Sequence, residues 1–238
     1  MNIIDIAIIL IILMGGFIGF KQGAIRKIVS IIGFIIVLVL SYKLKNVISP
    51  IMYRNLPFVG FLLGKIKGAQ IINIIVYELI AFSIIAGVLG LIYNIILRIT
   101  GIFENILKAT IILSIPSKII GFFIGLIEEY IWVFIALVVL SLPAINFKMI
   151  KDSNLANFIL NNSPVLTKAS EKTLNVYNGI YEIIKSDGEI SNAEVNKRSL
   201  ILMLDNKMIT VESIDILIEK NKVELKETQF LDKYREED

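Results

Sequence analysis

The chain has 238 residues, 56% of them hydrophobic and 19% charged, with 24 Lys/Arg against 21 Asp/Glu and neither His nor Cys. Soluble globular chains carry about 45–50% apolar and roughly 25% charged residues, so this balance points to a membrane protein. Without His or Cys, the common zinc sites, Cys or Ser/His nucleophile pairs, haem ligation and disulfides are excluded, and neither an enzyme nor a cofactor is expected.

Charge divides the chain near Pro143. Residues 1–144 hold 11 Lys/Arg and 5 Asp/Glu, whereas residues 145–238 hold 13 and 16. The expected organisation is a four-span membrane domain over 1–144 and a charged helical tail over 145–238. The fold class is all-α: four transmembrane helices with interfacial helices and a helical C-terminal extension.

A bilayer core of ~30 Å needs about 20 helical residues. The first predicted span runs from Ile3 to Phe20 and carries only Asp5; with no basic n-region or small-residue cleavage site, it reads as a retained span. Asp5 is expected in the headgroup layer or at the positive end of this helix. The second, Ile28 to Tyr42, lies between Arg26-Lys27 and Lys43/Lys45, whose stems are expected to snorkel toward the headgroups. Residues 46–68, with Pro50, Pro57, Gly60, Gly64 and Gly68, suit an interfacial or re-entrant segment. The third span runs from about Gln70 to Leu97 and carries Glu78. Residues 101–115 read as a short amphipathic helix with an i, i+4 pair, Glu104 and Lys108. The fourth span, about Ile119 to Leu142, carries Glu128-Glu129.

In the tail, Ser163-Pro164 predicts a helix to about Lys185. Ser191-Asn-Ala-Glu194 predicts a second through a capping box, and Thr210 a third with Val211, Ile214, Leu217 and Ile218 as its apolar stripe. These form a helical hairpin around Asp205-Asn206-Lys207. Asp187-Gly188 could open a calcium loop, but the alternating acidic ligands and the acid at the twelfth position are missing, so no metal is expected. Residues from Lys222 onward are charged and expected to be frayed.

Small residues recur at helix-contact spacing: Gly15, Gly19 and Gly23, then Gly121 and Gly125, with Ser83/Gly87 and Ala86/Gly90 in the third span. The reading preferred is close packing within one bundle, with homo-oligomer contacts as the alternative. A charged side chain at the bilayer centre costs about 2.5–3.5 kcal/mol, which makes Glu78, Glu128 and Glu129 a candidate polar intramembrane site. Glu78 is placed roughly 12 Å deep and the pair near midplane, at depths where they could share a polar cavity with Asn73, Tyr77 or Tyr130. The competing reading is a protonated Glu hydrogen-bonded to a neighbouring helix. Nucleic-acid binding has little support, because the basic residues flank spans and the tail is acidic. No Walker or dinucleotide glycine pattern is present.

The opening I-I-D-I-A-I-I-L (3–10) and G-F-K-Q-G-A-I-R-K-I (19–28), with Asp5, Gly19, Phe20, Gly23 and Arg26, resembles the start of the colicin V production protein family. P-S-K-I-I-G-F-F-I-G-L-I (116–127), L-S-L-P (140–143) and D-S-N-L-A-N-F-I-L-N-N-S-P-V-L (152–166) are similar to that family's closing span and the stretch after it. The resemblance covers about residues 1–167, and Glu128-Glu129 departs from the small or apolar residues it implies at that turn. It implies a multi-pass protein of the bacterial cell membrane associated with toxin (bacteriocin) production or export and with envelope maintenance, and no known reaction. In some relatives a similar module precedes an extracytoplasmic serine protease domain, which this His-free chain cannot supply. The expected role is therefore a non-enzymatic accessory or assembly factor, whose partners are the bilayer, an envelope or export protein met through the tail, and a second copy if it oligomerises. The alternative is a small channel or proton-coupled transporter built on the intramembrane glutamates. Basic residues divide six against seven between the two membrane sides; if the first helix dominates, Lys21, Arg26 and Lys27 lie inside and both termini outside.

Overall fold

The computed structural model describes residues 2–58, 67–108, 114–141, 148–186 and 190–236. Those residues form helices: α1 (Ile3–Gln22), α2 (Ala24–Asn55), α3 (Ala69–Lys108), α4 (Ser114–Ser141), α5 (Lys148–Lys151), α6 (Asn154–Asn161), α7 (Pro164–Lys185), α8 (Asn192–Asp205), α9 (Val211–Glu219), a 3₁₀ turn at Gln229–Leu231 and α10 (Asp232–Arg235). No strand is present among the described residues. Four helices are long and apolar enough to cross a membrane: Ile3–Gln22, Ala24–Asn55, Ala69–Arg98 and Ile115–Ser141.

Two helices outrun their predicted spans. α2 has 32 residues and α3 has 40, about 48 and 60 Å at 1.5 Å per residue, so both continue past the hydrocarbon core. Residues 46–55 are therefore the last turns of α2, with Pro50 inside the helix, and not a separate segment; Gly60 and Gly64 lie outside the described residues. Residues 101–108 likewise continue α3 instead of forming a separate helix, while the Glu104 and Lys108 side chains lie outside the described residues.

The turn between α1 and α2 needs a glycine. Gly23 takes φ 87° and ψ 167°, its N–H returning to Gly19 O, a conformation that a side chain would strain. One residue on, Ala24 N donates to Ser117 Oγ at 3.1 Å.

The chain divides into two compact units, residues 1–38 with 88–171 and residues 39–87 with 172–238. The compositional break near residue 144 falls inside the first unit, and α2, α3 and α7 each contribute to both. The first unit is organised by α1 and α4, whose backbones touch through glycine. A Cβ built on Gly19 would stand 2.0 Å from Gly121 O, and one on Gly125 2.2 Å from Gly15 O. Beside this seam, Ile8, Val133, Phe134 and Leu137 form a core with Ile150, Ala156 and Ile159. By contrast, a Cβ on Gly87 or Gly90 in α3 would meet nothing within 4 Å.

In the second unit, Tyr53, Ile71, Ile74 and Ala81 pack with Val176 and Ile180 of α7, Leu200 and Met203 of α8, and Ile214 and Leu217 of α9. The tail helices begin where their caps predict. Ser191 Oγ accepts from Glu194 N at 3.3 Å and Thr210 Oγ1 from Ser213 N at 3.2 Å. The residues after Lys222 are packed instead of frayed. Leu231 is fully buried, Tyr234 Oη donates to Asp205 at 2.6 Å, and Arg235 pairs with Asp215 at 2.7 Å. Leu231 and Val223 are buried against the core while the charged side chains stay on the wet face of the segment. The Asp187-Gly188 turn lies outside the described residues.

Candidate functional site

The sequence singles out three glutamates in spans, and the structure gives two of them lysine partners. On α2, Lys27 and Lys45 stand 18 positions apart, about five turns at 3.6 residues each, so both lie on one face. That face also buries Ser30, Phe34, Ser41, Ser49 and Tyr53. The snorkelling expected of Lys27 and Lys45 does not occur; each is 4% exposed.

In the second unit, Lys45 Nζ bonds Glu78 Oε2, and both side chains are 5% exposed. The same ammonium donates to Met208 O at 2.6 Å and Asn46 Oδ1 at 3.0 Å, which uses all three of its protons. Tyr53 Oη donates to Glu78 Oε1 at 2.7 Å. Every polar atom of the pair is satisfied, as burial of a charge requires. Met208 follows the α8–α9 turn, so the tail closes over Lys45 and Glu78. This pair is thus an α2–α3–tail junction and not an isolated acid within a span.

In the first unit, Lys27 Nζ stands 2.5 Å from Glu128 Oε2, with side chains 5% and 10% exposed. Ser30 Oγ donates to Glu128 Oε1 at 2.5 Å, and Tyr93 Oη lies 2.7 Å from Ser30 O and 2.9 Å from Ser30 Oγ. Here α2, α3 and α4 are joined around one carboxylate.

The partners of Glu78 and Glu128 all belong to the unit of the respective glutamate. Of the residues expected to line a shared cavity, Tyr77 Oη donates to Pro57 O, Asn73 Nδ2 to Ala69 O at 2.9 Å, and Tyr130 Oη lies 2.5 Å from Ser163 Oγ. Glu129 is half-buried, and its side chain lies over Gly15, where an added Cβ would meet Glu129 Cγ at 1.9 Å. Among the described residues its carboxylate has neither ion pair nor hydrogen bond.

Asp5 is neither in open headgroup space nor only a helix-start charge. It is 3% exposed, and Oδ1 accepts from Ser153 Oγ at 2.5 Å and Leu155 N at 3.0 Å, while Oδ2 accepts from Asn2 N at 2.7 Å. It caps two helices at once, its own and α6. Of the other residues carrying the resemblance, Gly19 and Gly23 form the α1 seam and turn, and Phe20 lies 6.0 Å from Lys118 Nζ. Arg26, half-buried, directly precedes Lys27.

Sequence reasoning missed both lysines and the double role of Asp5. The 18-residue lysine spacing was the available signal for the former. For Asp5 there was none, because Ser153 is 148 residues away. Among the described residues no group of three or more His, Cys, Asp or Glu could hold a metal ion.

Comparison with known proteins agrees with the architecture. The family model for colicin V production protein matches residues 4–164. An uncharacterized transmembrane protein of Bacillus subtilis (strain 168), YshB, is 30% identical over 174 residues, covering 69% of this chain and 93% of the relative. No solved structure matches. A match that runs from Asp5 and its α1 partners through the glycine seam to Ser163 takes in nearly all of the first unit, and on it the chain is a multi-pass membrane protein belonging to the colicin V production protein family.

Proposed function

We propose that this protein is a non-enzymatic accessory or assembly factor of the bacterial cytoplasmic membrane, serving production or export of a colicin V-type toxin and maintenance of the envelope. The supporting observation is the pairing of both deeply buried glutamates with lysines, each carboxylate also accepting from a neighbouring hydroxyl, Ser30 for Glu128 and Tyr53 for Glu78. Such closed pairs fix the order and register of helices, and they leave neither Glu78 nor Glu128 free to relay a proton. Toxin association comes from family membership. The tail, rooted on Lys45 and Glu78, is the part available to an envelope or export partner, and a second copy is a further partner in this reading.

The test replaces each pair by neutral residues of similar size, Lys27→Met with Glu128→Leu and Lys45→Met with Glu78→Leu, in a strain lacking the native chain. Secreted toxin activity and membrane protein level are the readouts. A scaffold keeps its activity in these double variants, because apolar replacement of a whole buried pair is often neutral or stabilising. Loss of toxin export at normal protein level would favour the channel or proton-coupled reading, for which Glu129, with neither ion pair nor hydrogen bond among the described residues, is the motivating residue; Glu129→Gln then loses activity as well. The proposed orientation, both termini outside, is tested by single-Cys variants at Ser186 and Gln22 in this Cys-free chain. An impermeant reagent labels Ser186→Cys alone in intact cells if the orientation holds.

A further inference from the structure

The stretch 153–167, SNLANFILNNSPVLT, contains no Asp, Glu, Lys or Arg, although it lies in the charged part of the chain. Its position is fixed at both ends by membrane helices. At the start, Asp5 of α1 holds Ser153 Oγ and Leu155 N. At the far end, Ser163 Oγ lies 2.5 Å from Tyr130 Oη of α4. Tyr130 follows Glu129, whose side chain lies over Gly15, so this end of the stretch is level with the middle of α1. α1 has 20 residues, about 30 Å, just enough to cross the hydrocarbon, and Gly15 is 12 positions from its start, about 18 Å along.

Lipid requires backbone polar groups to be satisfied by protein, and several at the ends of α6 are. Ser153 Oγ accepts from Ala156 N at 3.0 Å. The last carbonyls of α6 are taken as well: Phe158 O by Asn162 N at 2.8 Å, Ile159 O by Ser163 Oγ at 2.6 Å, and Leu160 O by Thr167 Oγ1 at 2.9 Å. Before the helix, Asn157 Nδ2 donates to Lys151 O and Asn2 Nδ2 to Met149 O. Ala156 and Ile159 face Ile8 and its cluster, while the outer face shows Phe158 at 58% and Val165 at 79% exposure together with Asn154, Asn157, Asn161 and Asn162, of which Asn157 and Asn162 turn their amides back onto backbone carbonyls. An uncharged segment of this length with capped ends, laid along a membrane-crossing helix, is too short to span and suited to dip in and return.

We propose that residues 153–167 form a re-entrant half-hairpin in which α6 descends into the bilayer beside α1 and α4, with Phe158 and Val165 against lipid acyl chains. The inference rests on α1 and α4 crossing the membrane and is independent of what the protein does for toxin export.

The experiment uses the full chain in phosphatidylcholine/phosphatidylglycerol vesicles, with single variants Phe158→Cys, Val165→Cys and Ser186→Cys carrying an environment-sensitive bimane. Expected are blue-shifted emission at 158 and 165, stronger quenching by acyl-chain nitroxide lipids than by headgroup nitroxide lipids, and protection from aqueous iodide, with the reverse at 186. Quenching of 158 and 165 by iodide as strong as that of 186 overturns the proposal, and so does quenching by headgroup nitroxides alone, which would lay α6 flat on the surface. Both sites are exposed, so neither label disturbs packing, and either alone decides the outcome.

Discussion

A lysine and a glutamate 101 residues apart, both nearly inaccessible, tie α2 to α4. Removing one partner strands the other charge. Glu128→Gln is therefore expected to destabilise the folded protein by about 3–5 kcal/mol, read as a drop in denaturation midpoint in detergent micelles. Adding Lys27→Met recovers most of that loss. If the single and double variants unfold alike, the pair contributes no coupling. A second residue-scale effect concerns pH. Burial, reinforced by the nearby Glu78 and Tyr42, pushes the Tyr177 phenol up to about 12 from an ordinary value near 10. Folding thus favours the neutral phenol. Its contribution is fully present below pH 10 and is lost as pH rises toward 12, on the order of 2 kcal/mol. Tyr177→Phe should flatten this alkaline decline in thermal stability measured between pH 9 and 12; an unchanged slope would assign the decline to other groups.

At the scale of elements, glycines of one composition have opposite consequences. Gly19 and Gly121 meet backbone to backbone, so a methyl group has no flexible side chain to displace. Gly19→Ala should cost about 1–3 kcal/mol through forced separation of α1 and α4. Gly87→Ala meets open space and should be neutral, or stabilise α3 by roughly 0.5–1 kcal/mol through higher helix propensity. Equal effects of the two variants on unfolding would show that the seam is not the determinant. The periodicity of glycine was readable from the sequence. Which stripe closes on a neighbour and which does not was not readable, since both satisfy the same small-residue spacing.

Across the whole molecule, the second unit joins parts of two membrane helices to the last 67 residues of the chain. Leu231, fully buried near the C-terminus, is one measure of that union. Leu231→Ala should cost about 2–5 kcal/mol and speed proteolysis within residues 222–236. Were those residues cleaved at the same rate in both proteins, Leu231 would not be what orders them. The charge of the segment argued for disorder, yet its few apolar residues sit at positions that reach the core while Lys and Glu remain in water.

Four spans, the helix starts at Ser163-Pro164, Ser191 and Thr210, the family and the absence of His and Cys chemistry were all determined by sequence. Each depends on local quantities: hydrophobic length, capping residues and composition act within a few turns of the residues that carry them. Tertiary structure alone decided where the helices end, which lysine neutralises which glutamate, and that Asp5 caps a helix nearly 150 residues away. These depend on non-local partners, and a lysine flanking an apolar run looks the same whether it snorkels to a headgroup or turns inward to a carboxylate. The difference is made by the neighbouring helix, because an inward lysine is tolerated only where packing delivers a carboxylate and enough acceptors to replace water.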